Sequence, residues 1–279
     1  MECDLLRLPS FPRMHEYFGA WAHEPERLLA QWQMVRSIDF ARHMAAPQPA
    51  RPTNVETVPG KSGQSVAVIK IAGTLMKQQS SMGGTSTTQL RRDIRTAAND
   101  PSVSGLLLAI DSPGGTVAGT ADLADEVSKA RRRKPVWAHI DDLGASAAYW
   151  VASQADAIFA NTHTALIGSI GTVMTFYDES KAAANGGVEV LVFATGPLKG
   201  AGTPGSAITE EQRAYFQKMI ESSQVHFDAA VKSGRGMTQT QLNAVRTGGV
   251  FLASEALSLK LIDGIRPYEK TLAELSAAK

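Results

Sequence analysis

The stretch Gly105-Leu106-Leu107-Leu108-Ala109-Ile110-Asp111-Ser112-Pro113-Gly114-Gly115 decides the fold. Its first six residues are apolar without alternation, as in a short strand buried on both faces of a sheet. Such a strand needs helices above and below it, and the flanking sequence supplies them. Residues 66–73 and 135–140 read as further strands, and 89–98 and 120–133 as helices. The second helix closes on Arg131-Arg132-Arg133-Lys134, cations at the end where the helix dipole favours them. Strands are expected at 157–160 and 188–193. A long helix is expected over 210–232, opened by Thr209 with Gln212 three residues on as a capping box. The alternation predicts an α/β core.

The chain has 279 residues and is 43% hydrophobic and 20% charged, which fits a globular protein with a sizeable core. Its formal net charge is +1, so nothing in the balance points to nucleic acid. Cys3 is the sole cysteine, which excludes an intrachain disulfide and a thiolate zinc cluster and suits a reducing, cytoplasmic setting. Residues 1–12 lack the apolar core of a signal peptide, and the longest apolar runs are too short to span a bilayer. Residues 13–46 read as a helical arm, with Tyr17, Phe18, Trp21, Leu28, Leu29, Trp32 and Val35 at helix-like intervals. A proline-rich linker is expected over 47–64, a catalytic domain over 65–266 and a C-terminal tail over 267–279.

Two turns carry candidate chemistry. Asp111-Ser112-Pro113-Gly114-Gly115 ends a buried strand, and its glycines permit close backbone approach. Free amides at such a turn can bind a developing oxyanion, although a plain strand-to-helix turn reads the same way. Gly144-Ala145-Ser146-Ala147-Ala148 sets a serine where a helix begins, and the Ala147 amide has no intrahelical partner there. That serine is either a nucleophile or an N-cap.

A nucleophilic serine needs a base. Of the six histidines only His163 lies in a loop close downstream, leaving a Ser-His arrangement open. Lys199, in the glycine-rich segment 195–205, is the other candidate. It serves only if apolar burial keeps the amine neutral, which Leu198 and the small residues around it are placed to provide.

Taken together and in order, these motifs resemble the signal peptide peptidase A family of Ser-Lys peptidases. The resemblance covers residues 65 to about 266. It rests on 66–73, Asp111–Gly115, Gly144-Ala145-Ser146, Gly168-Ser169-Ile170-Gly171, Gly196 with Lys199, the segment Gly249-Val250-Phe251-Leu252-Ala253-Ser254-Glu255-Ala256-Leu257, and Gly264-Ile265. It implies a ClpP/crotonase-like α/β fold, Ser146 as nucleophile and Lys199 as general base. Gly114 and Ala147 would be the oxyanion donors, and Ser169 a residue that orients the lysine. It implies no metal and no organic cofactor. Tyr17-Phe18-Gly19-Ala20-Trp21-Ala22, with Glu24-Pro25 after it, resembles the arm of the family's phage branch, the capsid assembly or head maturation proteases. The partners so implied are further copies of the chain in a ring, and scaffold, portal or capsid proteins as substrates. The setting would be the host cytoplasm or the inside of a prohead. Ala147-Ala148 replaces the glycines usual after the nucleophile. The readings that stay open are a general cytoplasmic peptidase, a crotonase-type acyl-CoA enzyme and a non-catalytic scaffold.

Overall fold

A computed structural model describes residues 20–24, 27, 30, 33, 54–60, 63–78 and 84–278. In chain order its strands are β1 (Trp21–His23), β2 (Val55–Pro59), β3 (Ser65–Ala72), β4 (Leu75–Met76), β5 (Thr85–Ser86), β6 (Val103–Ser112), β7 (Gly114–Thr116), β8 (Val136–Ala145), β9 (Ala157–Ala160), β10 (Leu166–Gly168), β11 (Val250–Leu252) and β12 (Gly264–Ile265). The helices are α1 (Thr87–Asn99), α2 (Thr120–Ala130), α3 (Ala147–Ala152), α4 (Ser180–Asn185), α5 (Glu210–Gly234), α6 (Gln239–Val245), α7 (Ala253–Ser258) and α8 (Tyr268–Ala277).

The main sheet runs β11-β10-β8-β6-β3-β2, with β9 also on β8 and β12 on β9. Its inner strands β3, β6, β8 and β10 are parallel, and β2 and β11 are antiparallel at its edges. The period of two along β3 and β6 sorts the side chains onto two faces. Ala67, Ile69, Ile71, Leu106, Leu108 and Ile110 join the larger core with Leu90 and Ile94 of α1 and Leu123 and Val127 of α2. Val66, Val68 and Leu107 face the other way and pack on Leu275 of α8. The uninterrupted apolar run at 105–110 is the signature of this two-sided cover.

A second, four-stranded sheet has the order β1-β7-β4-β5. Halfway along β8 the ladder with β6 shifts register between Ile110 and Ser112. The first half of β8 pairs with β9 and its end pairs with β10, Gly168 lying opposite Ala145. These shifts bring the ends of β6, β8 and β10 together, where α3 begins.

Several expectations meet a different structure. Within the arm read as helix over 13–46, Trp21–His23 is a buried strand, while Arg27, Ala30 and Gln33 are helical. The arm's other residues lie outside the described ones. Inside the expected linker, Val55–Pro59 is an edge strand on β3. The tail beyond residue 266 is the helix that covers one face of the sheet. The apolar run 188–193 is not a strand. Among the described residues no neighbouring strand pairs with it, and Val188, Leu191, Val192 and Phe193 are exposed, Phe193 to 92%. The long helix is present with both bonds of its capping box, between Thr209 and Gln212. Among the described residues no helix is long and apolar enough to cross a membrane.

Candidate active site

Ser146 stands between β8 and α3 at φ 55°, ψ −119°. Non-glycine residues rarely adopt this conformation, and they keep it only where the surroundings over-determine it. Here the Ser146 amide donates to Gly168 O at 2.7 Å, the Trp150 amide donates to Ser146 O at 2.8 Å, and α3 is buried throughout. Among the described residues two other non-glycines have positive φ, and one of them is Ser169 (φ 49°). Ser169 follows β10 as Ser146 follows β8, and its amide is held by Gly249 O at 2.7 Å. Adjacent strands lie about 4.8 Å apart, so the two serines sit side by side at the ends of paired strands. The Ser146 hydroxyl donates a long bond of 3.4 Å to Gly171 O.

The glycine turn reaches the same point. Gly114 has φ 99°, and a Cβ built on it would lie 2.9 Å from Ser146 Cβ, 2.9 Å from the Ala147 nitrogen and 2.2 Å from Ala22 O. Gly114 therefore supplies close approach, and no side chain fits there. Its amide, expected as an oxyanion donor, is bonded within its own turn. The Pro113 carbonyl faces β1, where it accepts from Glu24 N at 2.8 Å. In a trans peptide the next N–H points the opposite way, and Gly114 N donates to Ser112 Oγ at 3.2 Å. Gly115 faces β1 instead. Val117 N donates to Ala20 O and Glu24 N to Pro113 O, so the alternation of an antiparallel ladder makes Ala22 and Gly115 the hydrogen-bonded pair between them. The Ala147 amide at the start of α3 lies beside Gly114 and Ser146, and the Gly115 amide next in the turn is directed at β1. Sequence spacing could not choose between adjacent glycines, because only the orientation of the peptide planes does.

Neither candidate base is joined to Ser146 by a hydrogen bond among the described residues. Lys199 is exposed in a turn closed by its amide on Gly196 O at 3.1 Å, and Leu198 beside it in the chain is half-buried. Among the described residues its side chain has no hydrogen bond or ion pair, and Ser146 is 0% exposed. The expected burial of Lys199 is absent, and no residue of segment 174–209 is buried. His163 is exposed in a turn and makes no hydrogen bond to Ser146 among the described residues. A histidine that the sequence reading left in the arm, His23, is buried beside Gly114, its Nε2 3.3 Å from Thr74 Oγ1 and its Nδ1 2.9 Å from Glu24 O. Burial holds it below the ordinary histidine range, against the opposing pull of Glu24. At the end of β6, burial and the Asp141 and Asp142 carboxylates push Asp111 up.

A serine on a strained strand-to-helix elbow, with a helix-start amide and a glycine turn beside it, is an arrangement suited to acyl transfer. Residues 128–279 match the family model described as Peptidase family S49. The chain belongs to peptidase family S49. It is 32% identical over 202 residues to Capsid assembly protease C of Escherichia phage lambda, covering 71% of this chain and 46% of that protein. To the Head-tail preconnector protein GP5 of Enterobacteria phage P21 it is 33% identical over 177 residues, covering 62% of this chain and 35% of that protein. The chain therefore spans less than half the length of these two relatives. Among solved structures it is similar to an enoyl-CoA hydratase/isomerase family member, at 17% identity and a TM-score of 0.44 over 82% of this chain and 76% of that one.

Proposed function

We propose that the chain is a serine endopeptidase in which Ser146 is the nucleophile, the amides of Gly115 and Ala147 stabilise the oxyanion, and Lys199 of a neighbouring copy is the general base. The observation that carries this reading is the backbone of Ser146, strained at φ 55° with the Ala147 amide and the β7 edge beside it. A neutral lysine takes the hydroxyl proton as Ser146 adds to a peptide carbonyl, then returns it to the departing amine; water cleaves the resulting ester by the same route. The two amides oppose the charge that develops on the carbonyl oxygen, a contribution of about 2.7–4 kcal/mol per donor in comparable sites.

Supply of the lysine by a second copy is supported by the segment that bears it. Phe176, Tyr177, Leu191, Val192 and Phe193 are exposed there together, and Tyr215 and Met219 of α5 add to them. Apolar surface of this kind marks an interaction site. Docking it on a neighbour would remove Lys199 from water, which is what lowers an amine's proton affinity. Ser169, beside Ser146, would orient an amine arriving from outside. The likeness to phage lambda's capsid assembly protease and the arm of residues 17–25 support prohead maturation as the setting. The substrates would then be scaffold, portal or capsid proteins, cut in the host cytoplasm or inside the prohead.

The test is cleavage of an unstructured protein such as casein by S146A, K199A and an equimolar mixture of the two. Each variant alone is expected to be inactive. The mixture is expected to regain part of the wild-type rate, because mixed assemblies contain sites with Ser146 from one copy and Lys199 from the other. Activity in either variant alone overturns the assignment of that residue, and an inactive mixture of assembled variants overturns the sharing between copies.

A further inference from the structure

Strand β1 lies across the site in the manner of a substrate. On one side it pairs antiparallel with β7, Trp21 opposite Thr116, Ala22 opposite Gly115 and His23 opposite Gly114. On the other, Trp21 N donates to Val173 O at 2.8 Å and Val173 N to Trp21 O at 2.7 Å. An extended peptide held by backbone bonds on both edges is the general mode by which a strand is recognised without regard to sequence.

The register places one bond of that strand at the nucleophile. Ala22 O is directed at Gly115 N, and the point 2.2 Å from it lies 2.9 Å from both the Ala147 nitrogen and Ser146 Cβ. The carbonyl of Ala22 is therefore directed at Gly115 N and lies on the same side of Gly114 as Ser146 and the Ala147 amide. Glu24 N, two residues beyond that carbonyl, is fixed on Pro113 O at 2.8 Å. Ala20, Trp21 and Glu24 thus hold the chain on both sides of the Ala22–His23 bond. While the strand is in place Ser146 is 0% exposed, and the strand fills the place that another substrate strand would take.

We propose that residues 20–24 are the chain's own first substrate and that Ser146 cuts the Ala22–His23 bond, opening the cleft to other proteins. The inference rests on the peptidase reading above. Ser146 Oγ bonds to the Ala22 carbonyl carbon while its proton passes to the base. The Ala22–His23 C–N bond breaks, and the His23 nitrogen receives that proton and becomes a new N-terminus. Water then adds to the ester carbon, its hydroxyl staying on Ala22 as a carboxylate and its proton returning to Ser146 Oγ. The products are the N-terminal 22 residues and a shortened enzyme beginning at His23.

The experiment follows full-length chain by denaturing intact mass and N-terminal sequencing, alongside casein cleavage and labelling of Ser146 by a fluorophosphonate. Wild type is expected to lose residues 1–22 and to gain labelling and casein cleavage in step with that loss. S146A is expected to stay whole, also when mixed with wild type, because its strand lies in its own dead site. Wild type that labels fully and cleaves casein with residues 1–22 still attached overturns the proposal and leaves the peptidase reading standing. So does removal of residues 1–22 from S146A by wild type. A folded wild type that neither labels nor cleaves anything overturns the peptidase reading, and self-cleavage with it.

Discussion

Ser146 carries a conformational cost in return for its position. The region around φ 55°, ψ −119° is open to glycine and costs other residues of order 1–3 kcal/mol. Ser146→Gly is therefore expected to raise stability by about 1 kcal/mol while abolishing peptide cleavage. Urea unfolding of the variant beside S146A checks this, since both lack the hydroxyl and only one relieves the backbone; equal midpoints would count against strain at this residue. At the same scale, the motif Asp111–Gly115 was legible as a candidate oxyanion turn, yet its spacing pointed to Gly114. The hydroxyl of Ser112, which holds the Gly114 amide, and the turn of the Pro113 carbonyl toward β1 are what leave the Gly115 amide directed at that strand.

Among the elements, those buried on both faces were the legible ones. An apolar run such as 105–110 can satisfy its side chains only between two layers, and α1, α2 and α8 form those layers. The short strands were not legible. Trp21–His23 has three residues and a partner more than ninety positions away, and the helix-like spacing of the residues around it hides it. The run 188–193 misleads in the opposite sense, because apolar β-branched residues resemble a strand whether or not a partner strand exists. Helix α8 is the element whose sequence promised least, as a tail, and Leu275 is its anchor at 1% exposure. Leu275→Ala is expected to destabilise the fold by about 2–5 kcal/mol, as a large-to-small change in a closed core. Chemical denaturation checks it; a loss below about 1 kcal/mol would mean that α8 is dispensable to the sheet.

For the whole molecule, acid is the sensitive direction. His23, in the strand across the site, and His139, bonded to Thr271 of α8 through Nδ1 at 3.0 Å, are both held below the ordinary value of 6.5, chiefly by burial. Around His23, Glu24 opposes the shift and Arg27 adds to it; around His139, Asp141 and Glu269 oppose it and Arg266 adds to it. The unfolded imidazoles then bind protons that the folded ones do not. Stability from these two sites is complete above pH 6.5 and declines as pH falls below it. Melting temperature is expected to drop between pH 7.5 and 5.5, and more weakly in His139→Gln. A wild-type melting temperature flat across that range would contradict it.

The sequence by itself determined the α/β alternation, the candidate serine at a helix start and the glycine turn facing it, because each is written in local patterns of burial and backbone freedom. Tertiary structure alone decided the rest. It set which glycine amide is directed at β1, left Lys199 exposed, and laid Ala20–Glu24 beside Ser146. Those outcomes depend on peptide-plane orientation and on pairing between segments distant in the chain, and neither is encoded in the spacing of residues along it.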